Sequence, residues 1–204
     1  MRDDIGLPNY ALGYDEELDA VCSLELLAQH LPRVISVPHH WKWVILSLHN
    51  SLQGFMVLAL QGTNALNVLT KGSAKRWYEG YDTGQYPDVA PQLDKFMGLY
   101  EKIKSNAMSI RVDSRRFVPE PSQDESVRRL NAFRNEFVHY TPATSLLDMR
   151  QWAQIALDVI PIVEFLAFES NNVSFHEGAT ADHVRGLCAI GKNEALALLS
   201  HYGA

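Results

Sequence analysis

The run RNEFVH, from Arg134 to His139, gathers side chains suited to work on a phosphodiester. The imidazole of His139 can take up or release a proton near neutral pH. The guanidinium of Arg134 can hold a phosphate through two hydrogen bonds and stabilise charge that builds on it. Asn135 adds a neutral group that can orient the imidazole or hold the phosphate. If RNA supplies its own 2′-hydroxyl as nucleophile, this chemistry needs no metal, and neither metal nor cofactor is expected.

Helical spacing divides these residues between two faces. Asn131, Asn135 and His139 recur every fourth residue and make a polar, uncharged stripe. A solvated face more often carries charge, as Arg128, Arg129 and Glu136 do nearby. Arg134 instead falls within an apolar arc of Val127, Leu130, Phe133, Phe137 and Val138. An arginine placed there snorkels to an edge, pairs with a buried acid such as Glu25 or Glu101, or meets a partner subunit.

Other residues are candidates for supporting roles. Asn50 and Gln53 share a face of an apolar helix and either reach the motif helix or satisfy backbone groups. His49 flanks them and is ranked below Asn50. Lys75, Arg76 and Trp77 lie in a Gly-, Thr-, Asn- and Tyr-rich stretch from Gly62 to Ala90. Basic residues among aromatics can grip phosphates and stack on bases, or the aromatics can simply dock on the protein. His39 and His40 follow Pro38 without the spacing of a metal site and suit a helix start. His176 and Glu177 do not open an HExxH motif, because position 180 is Thr180. No P-loop, GxGxxG or GxSxG is present.

The elements that must position these residues read as helices. Strand-like alternation is nearly absent and a 3.6-residue period dominates, so the expected class is all-α. Expected helices run from about Asp15 to Leu31, from after Pro38 to Gln61, and from Pro91 to Met108. Others run from Ser122 or Gln123 to before Pro142, from Ser145 to Glu169 with a bend at Pro161, and from Thr180 as N-cap to Tyr202. This is an up-and-down bundle of five to six helices with a long insertion between the second and third. The insertion, 62–90, is too long for a structureless loop, and short helical turns are expected in it.

Composition bounds the rest. At 204 residues, with 47% hydrophobic and 21% charged residues, the chain suits one folded domain. Cys22 and Cys188 are far apart and read as buried thiols of a reducing compartment. The N-terminus lacks an apolar signal region, and the apolar stretch from Trp41 to Leu60 holds Lys42, His49, Asn50 and Gln53. It is therefore read as a core helix rather than a membrane span, and a cytoplasmic location is expected. Net charge is −6, which disfavours bulk nucleic-acid affinity. Residues 94–134, however, carry nine Lys and Arg against six Asp and Glu. That region can be a solvated face or can hold one short nucleic-acid segment.

RNEFVH resembles the Arg-x4–6-His signature of HEPN domains, including the polar residue after the arginine, and the flanks LNAFRNEFVHYTP are similar to bacterial members. The bundle-level resemblance covers about Asp15 to Phe168, and the residue-level match covers Arg134, Asn135 and His139. It implies a helical bundle that forms a homodimer with the motif helices facing each other. It also implies a composite, metal-independent endoribonuclease site, commonly in a toxin or antiphage effector, with an antitoxin or other regulatory partner. Arg134 would hold the scissile phosphate, His139 would act as acid or base, and Asn135 would orient it or hold the phosphate. Asn131 and Tyr140 would flank the site. Arg134 and His139 lie about 140° apart on an ideal helix, so two helices crossing at a two-fold axis can combine them where one cannot. One departure concerns the tyrosine that many toxin members carry two residues after the histidine. Here Tyr140 is adjacent and Thr141 holds that place.

Overall fold

The computed structural model describes residues 13–139, 148–176 and 178–203. These are all-α: α1 (Glu16–His30), α2 (Trp41–Gln61), α3 (Lys71–Thr83), α4 (Phe96–Ile103), α5 (Gln123–Val138), α6 (Met149–Glu164) and α7 (Gly178–Gly203). Tyr140 and Thr141 lie outside the described residues.

The local signals explain most boundaries. Asp15 caps α1 by accepting from the Leu18 N–H at 2.9 Å, and Pro32 falls in a 3-10 turn that ends the helix. Pro38 opens the turn leading into α2, and Gly62, at φ +53°, closes α2 in a conformation most side chains resist. α7 begins at Gly178, so Thr180 lies inside the helix rather than capping it. The third expected helix is shorter than its pattern. Only Phe96–Ile103 is α-helical, and Asn106–Met108 forms a separate 3-10 turn.

α2 is the central element. It packs against α1, α4, α5 and α6, while α7 covers α6 and α1. Trp41, Ile45, Leu48, Leu52, Phe55, Met56 and Leu60 are fully buried along it, as a helix apolar nearly all round requires. At the α1 crossing, a Cβ on Gly54 would stand 2.7 Å from Cβ of Ala20, so the close approach depends on glycine. Among the described residues two stretches are long and apolar enough to cross a membrane, Pro38–Gln61 and Met149–Glu169, and both pack into this core.

Pro161 lies inside α6, where it removes one backbone donor. The helix continues to Glu164 and then widens into a π turn over Phe165–Glu169, in which the Ser170 N–H donates to the Phe165 carbonyl. The irregularity falls after the proline.

The stretch from Gly62 to Ala90 is more ordered than short turns. It holds the 13-residue helix α3, capped by Thr70 Oγ1 accepting from the Ser73 N–H. An antiparallel bridge between Leu69 and Leu93 ties its two ends together. The Thr70 N–H donates to Gln92 O and the Asp94 N–H to Val68 O. Its aromatics turn on one another: Trp77 and Tyr81 each pack on Tyr86, with centroids 5.7 and 5.5 Å apart.

Candidate functional site

Two anchors fix the motif helix α5. At its start, the buried carboxylate of Asp158 on α6 accepts from Ser122 Oγ, Ser126 Oγ and Gln154 Nε2, and Gln123 Nε2 donates to the Asp158 carbonyl. A buried charge ringed by donors is tolerable where a bare one is not. Lys104, just after α4, pairs with Glu101 at 2.8 Å and with Asp124 of α5 at 3.1 Å. Together these anchors hold the first turn of α5 against α6 and α4.

From that start the apolar arc divides. Val127 and Leu130 are fully buried. One turn on, Phe133 and Phe137 lie edge-on to Trp152 of α6, with centroids 5.5 and 5.8 Å away. Val138 is exposed, contrary to its place in the arc, because the helix has run past the core. Arg134 continues the line of Val127 and Leu130 to where the bundle opens, and is half-buried there.

The opening is a cleft of about 370 Å³ between α2, α5 and the start of α4. α5 contributes Asn131, Arg134 and Asn135, and α2 contributes His49 and Gln53. Asp94, Lys95, Phe96 and Met97 form the third side. Arg134 Nη1 donates to Asn135 Oδ1 at 3.1 Å. Asp94 is already paired with Lys102 at 2.6 Å, so Arg134 and Lys95 set a positive balance in the cleft. The ion pairs considered for Arg134 are not formed: Glu25 meets His183 at 2.7 Å and Glu101 meets Lys104. Among the described residues no carboxylate lies within ion-pair distance of Arg134.

His49 forms the floor. It is 2% exposed, its ring lies on Phe96 with centroids 3.9 Å apart, and its Nε2 is 3.3 Å from Asn131 Oδ1. Burial pulls the imidazole down to about 4. The Asn131 hydrogen bond opposes that shift, and the Arg134 charge adds to it.

The sequence-derived candidates therefore regroup. Asn131, Arg134 and Asn135 come together. His139 is exposed at the C-cap of α5, its N–H bonded to the Asn135 carbonyl, and it does not line the cleft. The four-residue stripe breaks there because the chain leaves the helix after Val138. Gln53 lines the cleft, but Asn50 does not. Asn50 faces a smaller opening toward Glu16 and Asp19 of α1. The residue that meets the motif helix is His49, and its spacing could have shown this. It stands four after Ile45 and three before Leu52, both fully buried, whereas Asn50 is off that line.

Lys75, Arg76 and Trp77 lie on α3 and do not line the cleft. Lys75 makes an exposed i,i+4 pair with Glu79, and Trp77 packs partly against the core. His39 lines an apolar pocket beside Trp41 and Trp152, and His40 Nδ1 lies 2.8 Å from His30 Nδ1. Cys188 is buried, its thiol pushed up to about 12, while Cys22 is only half-buried.

Compared with protein-family models, with curated proteins and with solved structures, the chain matches none.

Proposed function

We propose that the protein is a metal-independent endoribonuclease of HEPN type, working as a homodimer in the cytoplasm, and serving as a toxin or antiphage effector with its own regulatory partner. In this reading α1, α2, α5 and α6 form an up-and-down core, and 62–90 is an insertion on it. The observation that carries the reading is Arg134. It is half-buried at a cleft among neutral amides, with no carboxylate in ion-pair distance among the described residues, as a phosphate-binding arginine should be.

The chemistry then follows from side-chain types. Arg134 holds the scissile phosphate, and the 2′-hydroxyl attacks phosphorus. The bond to the 5′-oxygen breaks, leaving a 2′,3′-cyclic phosphate and a 5′-hydroxyl. His139 removes the 2′-hydroxyl proton or protonates the leaving oxygen. Its place outside its own protomer's cleft, exposed at the helix end, supports contribution to the partner's site.

Incubating the protein with RNA in EDTA tests this. The wild type should cleave, and His139→Ala and Arg134→Ala should each lose at least about a hundredfold while staying folded. Equal cleavage by wild type and His139→Ala would contradict the reading. The same separation of His139 from the cleft supports a second reading, a helical dimer that binds nucleotides or a protein without cleaving RNA. Thermal stabilisation by a mononucleotide with no RNA cleavage would favour it.

A further inference from the structure

His49 lies on the core face of α2, yet its polar edge meets α5. An amide oxygen only accepts, so the contact between Nε2 and Asn131 Oδ1 places the proton on Nε2 and leaves Nδ1 as an acceptor. Nδ1 is buried and has no hydrogen-bond partner among the described residues, a cost that a leucine or phenylalanine would not carry. The stack on Phe96 fixes the plane of the ring. With its oxygen committed to His49, Asn131 has its NH2 group left for the cleft that it lines with Arg134.

We infer that His49 is a positioning residue for this site: by holding the Asn131 oxygen it fixes the amide with its NH2 group toward the cleft, beside the Arg134 guanidinium, as a second donor for the non-bridging oxygens of a phosphodiester. The inference rests on the ribonuclease reading for its ligand. It concerns binding, and it leaves proton transfer to His139. Burial keeps the imidazole uncharged down to about pH 4, so the donor on Nε2 is unchanged across the working range.

The test uses full-length protein and 2′-O-methyl RNA, which binds but cannot be cleaved because its nucleophile is blocked. Binding is followed by fluorescence anisotropy, and the tautomer of His49 by 15N NMR. The Nε2–H tautomer is expected. His49→Phe, which keeps a stacked ring, should bind about tenfold more weakly. His49→Gln, whose Nε2 can donate to Asn131, should return to within about threefold of wild type. Asn131→Asp, at a half-buried position that tolerates polar groups, should weaken binding by at least as much as His49→Phe and covers the case in which that variant does not fold. An Nδ1–H tautomer, wild-type affinity in His49→Phe or Asn131→Asp, or no recovery in His49→Gln would overturn the inference. Wild type that binds the methylated RNA but leaves unmodified RNA intact in EDTA overturns the ribonuclease reading and leaves the His49 role standing. Wild type that binds no RNA overturns both.

Discussion

At the residue scale, the cleft sets two imidazoles apart by environment. His49 is buried against Phe96 and held by Asn131, and its folded-state value lies well below that of a free histidine. Between about pH 4 and 6.5 the unfolded chain takes up a proton that the folded chain refuses. Stability therefore falls as pH drops through that window, by up to about 3 kcal/mol. Among the described residues, Arg134, Asp94 and Lys95 are the charged groups that share the cleft with His49, and all three remain in a His49→Phe variant. Urea unfolding at pH 7 and pH 5 should show wild type losing about 2 kcal/mol more than this variant. Equal losses would mean that His49 is not held neutral by the fold. His139 is exposed, and in the proposed reaction it is the imidazole that meets the substrate. Arg134 and its amide neighbours were legible in the sequence as a motif on a helix. The spacing of His49 from Ile45 and Leu52 marks it as core-facing, but its partner Asn131 is 82 residues away, and only the packing of α2 on α5 brings the two together.

At the element scale, the site depends on how α5 is seated. Asp158 receives donors from the start of α5 and from its own helix, so Asp158→Ala should destabilise by about 3 kcal/mol, measured by chemical denaturation. A loss under about 1 kcal/mol would mean that these hydrogen bonds do not seat the helix. Helix existence and order were legible from periodicity, from the acidic start at Asp15, and from Pro32 and Gly62 at stops, whereas Thr180, read as an N-cap, lies inside α7. The positions of α3 and α4 were less so. α3 buries few apolar residues and is held by a cap and a two-residue bridge, so its pattern is not that of an amphipathic core helix. α4 is confined by charge: Lys102 to Asp94, and Lys104 to Glu101 and Asp124. The Lys104–Asp124 pair joins residues 20 apart in sequence, and no hydrophobic period reports any of these pairs.

At the scale of the whole molecule, the chain offers an arginine cleft on one side of α5 and an exposed histidine at its end. The proposed reaction needs both, and a two-fold pairing of α5 helices would bring the His139 of each protomer to the cleft of the other. The all-α class followed from the sequence, because apolar residues recur at helical spacing from Asp15 onward. The proposed pairing was expected from the resemblance and from the separation of Arg134 and His139 by about 140° on an ideal helix, while which faces stay open once α2 is buried is set by packing. Mixing Arg134→Ala protein with His139→Ala protein tests the pairing most directly. If Arg134 and His139 act across a two-fold axis, a 1:1 mixture of these two inactive variants should recover about a quarter of wild-type RNA cleavage in EDTA, because half the dimers are mixed and each carries one intact site. Cleavage that stays at the level of the separate variants, with mixed dimers demonstrably formed, would contradict the composite site.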